Sequence, residues 1–198
     1  MMFYKASRNN ARTRWTLKLD IKKFFANIDH EILKNILVSY ISDQDIMWLL
    51  VEIIDSFPQG LPLGNLTSQL FVNIYLNQLD QFVKHKLKVQ YYIRYADDFV
   101  ILSPSKHALT AILSRIAVFL ENELKLTLHP NKIILKTFAS GLDFLGWVNF
   151  PTHRVLRTAT RRRMFKRLNP NNLQSYFGLM KHGNTGKLLK LYDHRQWQ

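Results

Sequence analysis

The 198-residue sequence has no cysteine, which excludes disulfides and thiolate metal sites. That absence fits a reducing compartment. No apolar run approaches the roughly 20 residues that a membrane-spanning helix needs. Met1-Met2-Phe3-Tyr4 lacks the arrangement of a signal peptide. A membrane is therefore not an expected partner. The seven histidines are scattered without ligand spacing and read as surface or nucleic-acid contacts. There are no internal repeats and no low-complexity segment. Acidic residues are scarce, 14 against 28 Lys and Arg, giving a net charge of +14 and a pI near 10.1. Such a balance suits a polyanion, and nucleic acid is the default reading. The length fits one domain, or one compact domain with an appendage. A 47% hydrophobic fraction is enough for a sizeable core.

Where the few acids fall is informative. Tyr95-Ala96-Asp97-Asp98 is flanked by Tyr91-Tyr92-Ile93 and Phe99-Val100-Ile101-Leu102. Two apolar, β-prone runs meeting at a short acidic tip predict a β-hairpin. Adjacent carboxylates on a turn repel unless a cation lies between them. A hard divalent ion such as Mg²⁺ is the natural partner. The plainer alternative is a solvated Asp-Asp turn. Leu17-Lys18-Leu19-Asp20-Ile21 alternates apolar and polar residues, which predicts a strand with Asp20 near its end. Aspartate is depleted in strands, and a half-buried carboxylate needs a cation. Pairing of this strand beside the hairpin would bring three carboxylates together, enough for two Mg²⁺ ions in in-line phosphoryl or nucleotidyl transfer. Asp29 is placed to cap a helix that begins near His30.

Five motifs then resemble, in order, the palm of a reverse transcriptase. Leu19-Asp20-Ile21-Lys22-Lys23-Phe24-Phe25 resembles the first catalytic motif. Gly60-Leu61-Pro62-Leu63-Gly64-Asn65-Leu66-Thr67-Ser68-Gln69 resembles the template and nucleotide-binding motif. Tyr95-Ala96-Asp97-Asp98 matches the catalytic hairpin, and Leu126-Thr127-Leu128-His129-Pro130-Asn131-Lys132 the loop that follows. Phe144-Leu145-Gly146-Trp147 resembles the primer grip. The aliphatic Leu63 before Gly64, with Ser68-Gln69 at the end, is most similar to reverse transcriptases of diversity-generating retroelements, relatives of the group II intron enzymes. Pro58-Gln59-Gly60 imitates part of this motif, but only Gly64 is followed by three residues and Ser-Gln.

The resemblance implies an RNA-directed DNA polymerase that uses two Mg²⁺ ions, with an RNA template, a DNA primer and dNTP as partners. An accessory protein and a cytoplasmic, bacterial or phage-associated setting are expected with it. It makes Asp20, Asp97 and Asp98 the catalytic metal ligands, joined by the Ile21 carbonyl. Phe25 would stack beneath the sugar and exclude a 2′-hydroxyl; its alternative is a core aromatic beside Phe24. Leu63 stands where accurate relatives carry a glutamine, and an aliphatic side chain cannot hydrogen-bond a nascent pair. Gly64 would let backbone approach that pair. Ser68 and Gln69 would contact substrate or merely cap a helix. Lys132 would contact triphosphate or protonate pyrophosphate. Tyr95, beside Arg94, would pack on primer or template, and Gly146 and Trp147 would shape the grip.

The expected architecture is α+β: a polymerase palm, an antiparallel sheet backed by helices, with a basic helical C-terminal appendage. Residues 1–14 read as a basic lead-in, 15–157 as palm and 158–198 as partial thumb or basic tail. Helices are expected over 29–40, 43–56, 66–86 and 106–123. The second carries apolar Ile46, Leu49, Leu50, Ile53 and Ile54, and the third has Leu70, Ile74 and Leu79 among its buried candidates. Strands are expected over 15–25, near 133–137 and 142–150, and at 155–157. Arg161, Arg162, Arg163, Lys166 and Arg167 form a cluster suited to duplex backbone. Two further helices are expected at 173–181 and 187–192. The fingers that precede the first motif in the resembling enzymes, with their triphosphate clamp, have no counterpart here. The expectation is a fragment or truncated product in which palm chemistry outlasts efficient polymerisation. A non-catalytic nucleic-acid-binding remnant is the rival.

Overall fold

The computed structural model describes residues 3, 6, 14–169 and 171–186. Most of the lead-in and the helix expected at 187–192 lie outside the described residues. The chain divides into two compact units, residues 15–135, and residues 1–14 with 136–198. The division therefore falls well before Thr158, where the sequence reading placed it.

The first unit opens with β1 (Trp15–Asp20). The strand stops there because Lys23 takes a positive φ of 46° and a short 3₁₀ turn, Phe25–Asn27, follows. It is shorter than the expected 15–25. Helix α1 (His30–Val38) is capped by Asp29, whose carboxylate accepts the Ile32 amide at 3.0 Å. Helix α2 (Gln44–Asp55) is capped in the same way by Asp43. Helix α3 (Leu66–Gln81) begins at the Asn65 cap and runs into a π-helical turn, Phe82–Lys86. The hairpin is β2 (Tyr91–Tyr95) and β3 (Asp98–Ser103). Helix α4 (Lys106–Leu124) starts on Ser105 and ends at Lys125 in the left-handed region. With β4 (Ile134–Thr137) the sheet order is β2-β3-β1-β4.

Strand β3 lies between β2 and β1 and is antiparallel to both. Leu17, Leu19, Phe99 and Ile101 share one face and are wholly buried. They belong to one core with Phe71, Tyr75, Leu76 and Leu79 of α3 and Leu109, Ile116 and Leu120 of α4. Each such side chain contributes about 1.5–3 kcal/mol by leaving water. The Tyr75 hydroxyl donates to the Leu124 carbonyl at 2.8 Å, so the deepest phenol is satisfied. Phe82 stacks on Phe119 with centroids 4.2 Å apart.

One expected buried position needs correction: Leu70 is 58% exposed. Of the apolar residues of α2, Ile46 and Leu49 are about half exposed and Ile54 alone is fully buried. Apolar periodicity marks a helix; it does not say which part of the stripe a neighbour covers.

The second unit holds a small antiparallel sheet of β5 (Leu142–Phe144), β6 (Trp147–Asn149) and β7 (Arg154–Leu156). Helices α5 (Thr158–Arg167) and α6 (Leu173–Met180) follow. Trp147, Leu156, Met164 and Met180 form their shared core. The Trp147 ring lies so close under Gly183 that a Cβ there would come within 2.1 Å of it. The Arg154 guanidinium covers the ring at 4.8 Å, and its Nε donates to the His182 carbonyl.

Candidate active site

The register of β1 on β3 sets Asp20 opposite Asp98, and that of β2 on β3 sets Tyr95 opposite the same Asp98. Residues directly paired across an antiparallel ladder share a face. Asp20 and Asp98 therefore lie together on the face opposite Leu19 and Phe99. Asp97 occupies the tight turn, following Ala96 at a φ of +50°. The backbone fixes the constellation further. The Ile21 amide donates to the Asp97 carbonyl at 3.3 Å, and the His129 amide donates to the Asp20 carbonyl at 2.8 Å. Ile21 itself bridges Leu128, which ties the loop carrying Lys132 to the end of β1.

Two ammonium groups meet this acid cluster. Lys132 Nζ contacts both Asp20 carboxylate oxygens, at 2.9 and 3.0 Å. Lys18 Nζ lies 3.0 Å from Asp98 Oδ2. The other oxygen, Asp98 Oδ1, is buried without a hydrogen-bond partner. Burial, then the charge of Asp20, holds the Asp97 carboxyl above the ordinary aspartate range against the pull of its own amide and Lys132. Burial also raises Asp98, and the Asp20 and Asp97 charges add to it against the pull of Lys18. Asp20 in turn raises Lys132.

Among the described residues, no three His, Asp or Glu side chains stand together as a finished metal cage. Strand register pairs Asp20 with Asp98, while Lys132 stands on Asp20 and Lys18 on Asp98. The donor set nonetheless fits Mg²⁺. It is all carboxylate oxygen, it contains one buried orphan oxygen, and the charge of Asp20 adds to the raised proton affinity of Asp97 and Asp98.

The other candidate residues of this unit border the same motifs. Phe25 is half-buried against Phe24, with ring centroids 5.6 Å apart. Its carbonyl accepts the Leu61 amide at 2.8 Å. Gly60 has φ +58°, and a Cβ there would fall 2.3 Å from the Phe25 carbonyl oxygen. His30 Nε2 holds the Gly60 carbonyl at 2.7 Å. Gly60 and Leu61 thus brace the Phe25 turn, a role that sequence reading missed. Leu63 is 78% exposed, Gly64 turns with φ +87° in open space, and Gln69 is exposed. Ser68 is fully buried with its hydroxyl unpartnered, so it faces packing rather than an open cleft. Tyr95 is 64% exposed.

In the second unit Gly146 has φ +80° and Trp147 is buried in the core, so the indole presents no open ring face. Arg161, Arg162, Arg163, Lys166 and Arg167 are all exposed on α5, while Met164 between them turns inward.

Residues 3–148 match the family described as reverse transcriptase (RNA-dependent DNA polymerase), and the chain belongs to that family. It is 28% identical over 192 residues to protein YkfC of Escherichia coli (strain K12), covering 76% of this chain and 49% of that protein. It is 25% identical over 225 residues to the group II intron-encoded protein LtrA of Lactococcus lactis subsp. cremoris, covering 77% of this chain and 37% of that protein. The chain thus spans about half, or less, of the length of these relatives. Its fold is similar to that of the foamy viral protease-reverse transcriptase solved with an RNA/DNA hybrid: TM-score 0.52, 19% identity, 89% of this chain and 22% of that one. No described helix is long and apolar enough to cross a membrane.

Proposed function

We propose that this chain carries the catalytic palm of an RNA-directed DNA polymerase that extends a DNA primer on an RNA template. The observation behind this reading is the pairing of Asp20 with Asp98 beside Asp97 on a tight turn, with one buried carboxylate oxygen left without a partner. Asp20, Asp97 and Asp98, with the Ile21 carbonyl, would hold two Mg²⁺ ions. Bound Mg²⁺ supplies Lewis acidity at the primer 3′-hydroxyl and at the departing pyrophosphate. The protein's own part is orientation and charge. Strand pairing fixes the angle between Asp20 and Asp98, and the turn sets Asp97. Lys132, released from Asp20, has an ammonium on a loop beside the site for the triphosphate. Phe25, braced by Gly60, would set the floor under the sugar. Leu63 and Gly64, exposed ahead of α3, would meet the nascent pair.

The aliphatic Leu63 supports a place among the error-prone enzymes of diversity-generating retroelements, with an accessory protein and a bacterial or phage-associated cytoplasm as the setting. On this reading α5 belongs to a partial thumb, and Arg161, Arg162, Arg163, Lys166 and Arg167 neutralise duplex phosphates. Gly146 and Trp147 would support a primer grip through the backbone of the β5–β6 turn. A chain that binds nucleic acid without chemistry is the second reading, favoured by the lysines standing on Asp20 and Asp98.

Primer extension on an RNA template separates the two, using the longest natural protein that contains this chain. Asp20→Ala and Asp97→Ala should each abolish Mg²⁺-dependent extension and leave RNA affinity within about twofold. Undiminished extension by the Asp97 variant would remove the two-metal assignment. If the unaltered protein binds RNA and never extends, the second reading stands.

A further inference from the structure

We infer that Arg94 is a positioning residue for the catalytic turn, and that it joins the turn to helix α3 through Asp80 and Asn73. This rests on the reading of Asp97 as a metal ligand. Arg94 sits on β2 opposite Phe99, so its side chain leaves the sheet on the helix-covered face; that side chain is 9% exposed. All three guanidinium nitrogens are engaged. Nε donates to Asp80 Oδ1 at 2.8 Å and Nη2 to Asp80 Oδ2 at 2.6 Å. Nη1 donates to the Ala96 carbonyl at 3.1 Å and to Asn73 Oδ1 at 3.3 Å. The Tyr92 hydroxyl adds a 2.6 Å bond to Asp80 Oδ1.

The Ala96 carbonyl belongs to the peptide plane that ends at the Asp97 nitrogen. A planar peptide has no internal freedom, so holding that oxygen orients the Asp97 backbone. Ala96 is also in the left-handed region, which a non-glycine residue leaves readily unless its surroundings hold it. On the far side, Asn73 Nδ2 donates to the Gln69 carbonyl at 2.9 Å. A continuous polar line therefore runs from Gln69, in the nucleotide-binding motif, through Asn73 and Arg94 to the turn carrying Asp97. Asp80 neutralises the guanidinium, so the strut adds little net positive charge beside the metal site. Lysine could not replace it: one ammonium cannot make a two-pronged bond to Asp80 and reach Ala96 as well.

The test is Mn²⁺ binding, followed by electron paramagnetic resonance of the free ion, with folding checked by circular dichroism and thermal melting. Asp97→Asn identifies the site. Arg94→Lys, which retains the charge, should weaken the Asp97-dependent site about tenfold. Asn73→Ala, on an exposed position, should weaken it several-fold with an unchanged melt. If both folded variants bind Mn²⁺ as the unaltered protein does, the strut is structural only and the proposal fails. Should Arg94→Lys not fold, the Asn73→Ala affinity alone decides. If Asp97→Asn binds as tightly as the unaltered protein, the metal-site reading itself falls.

Discussion

Lys132 and Lys18 set an ammonium group on Asp20 and on Asp98. The Lys132 contact to both oxygens of Asp20 competes with any metal for that carboxylate. Replacement by methionine keeps the aliphatic stem and removes the charge. Lys132→Met should bind Mn²⁺ several-fold more tightly, yet show a raised KM for dNTP, because the same ammonium would serve the triphosphate. Metal titration and single-nucleotide insertion kinetics read the two effects separately; weaker metal binding would contradict the competition. Asp97 yields a pH prediction. Its folded-state carboxyl sits above its ordinary value, chiefly through burial. The folded state then holds its proton more tightly than the unfolded chain does. Stability from this group is full below the ordinary aspartate range and is lost as pH rises through the raised folded value. In chelator, Asp97→Asn should melt a few degrees higher than the unaltered protein at pH 7, and the gain should vanish in acid. An equal gain at every pH would assign the effect to something other than titration. The pairing of Asp20 beside the Asp97-Asp98 hairpin was legible in the sequence because aspartate is out of place among β-prone apolar residues. Lys18 was not, because an alternating strand gives no sign of which polar residue will face an acid on another strand.

At the scale of elements, the hairpin, α3 and α4 were legible from apolar runs, cap residues and glycine-rich punctuation. The faces of α2 were not, since coverage is decided by distant parts of the chain. Nor was the brace formed by Gly60, where composition suggested only a mistaken copy of the neighbouring motif. Its positive φ and its contact with the Phe25 carbonyl leave no room for a methyl group. Gly60→Ala should cost on the order of 3 kcal/mol. That is roughly 6–12 °C in melting temperature for a chain of this size. Because the displaced atoms belong to the Phe25 turn, the variant should also admit ribonucleotides more readily if Phe25 floors the sugar as proposed, whereas Gly64→Ala, in open space, should leave the melting temperature much less changed. Equal melting of the two variants would show that the segment is not a brace. The three-residue strands β5 to β7 were harder to read, and with them the boundary between the two units.

For the whole molecule, charge is segregated. No lysine or arginine occurs between Lys34 and Lys84, a stretch that holds Asp43, Asp45, Glu52, Asp55 and Asp80. All 28 Lys and Arg therefore belong to the rest of the chain, including the exposed arginines of α5. Phosphate contacts release counterions, and each one lost changes the slope of log affinity against log salt by somewhat less than one unit. Replacing Arg161, Arg162 and Arg163 with glutamine should flatten that slope by roughly two to three units on primer–template. Equal slopes would show that the cluster is merely solvated.

The register of β1 on β3 has a consequence for biosynthesis. Asp20 leaves the ribosome long before its partner: about 80 further residues must be made, a wait of roughly 4–16 s at ordinary elongation rates. Through that interval Trp15–Asp20 is a strand without its central neighbour, and its apolar face has no β3 to lie beside. Asp20 and Asp98 can pair only once the hairpin has been made, so an incomplete nascent chain lacks the carboxylate pairing that the proposed chemistry needs.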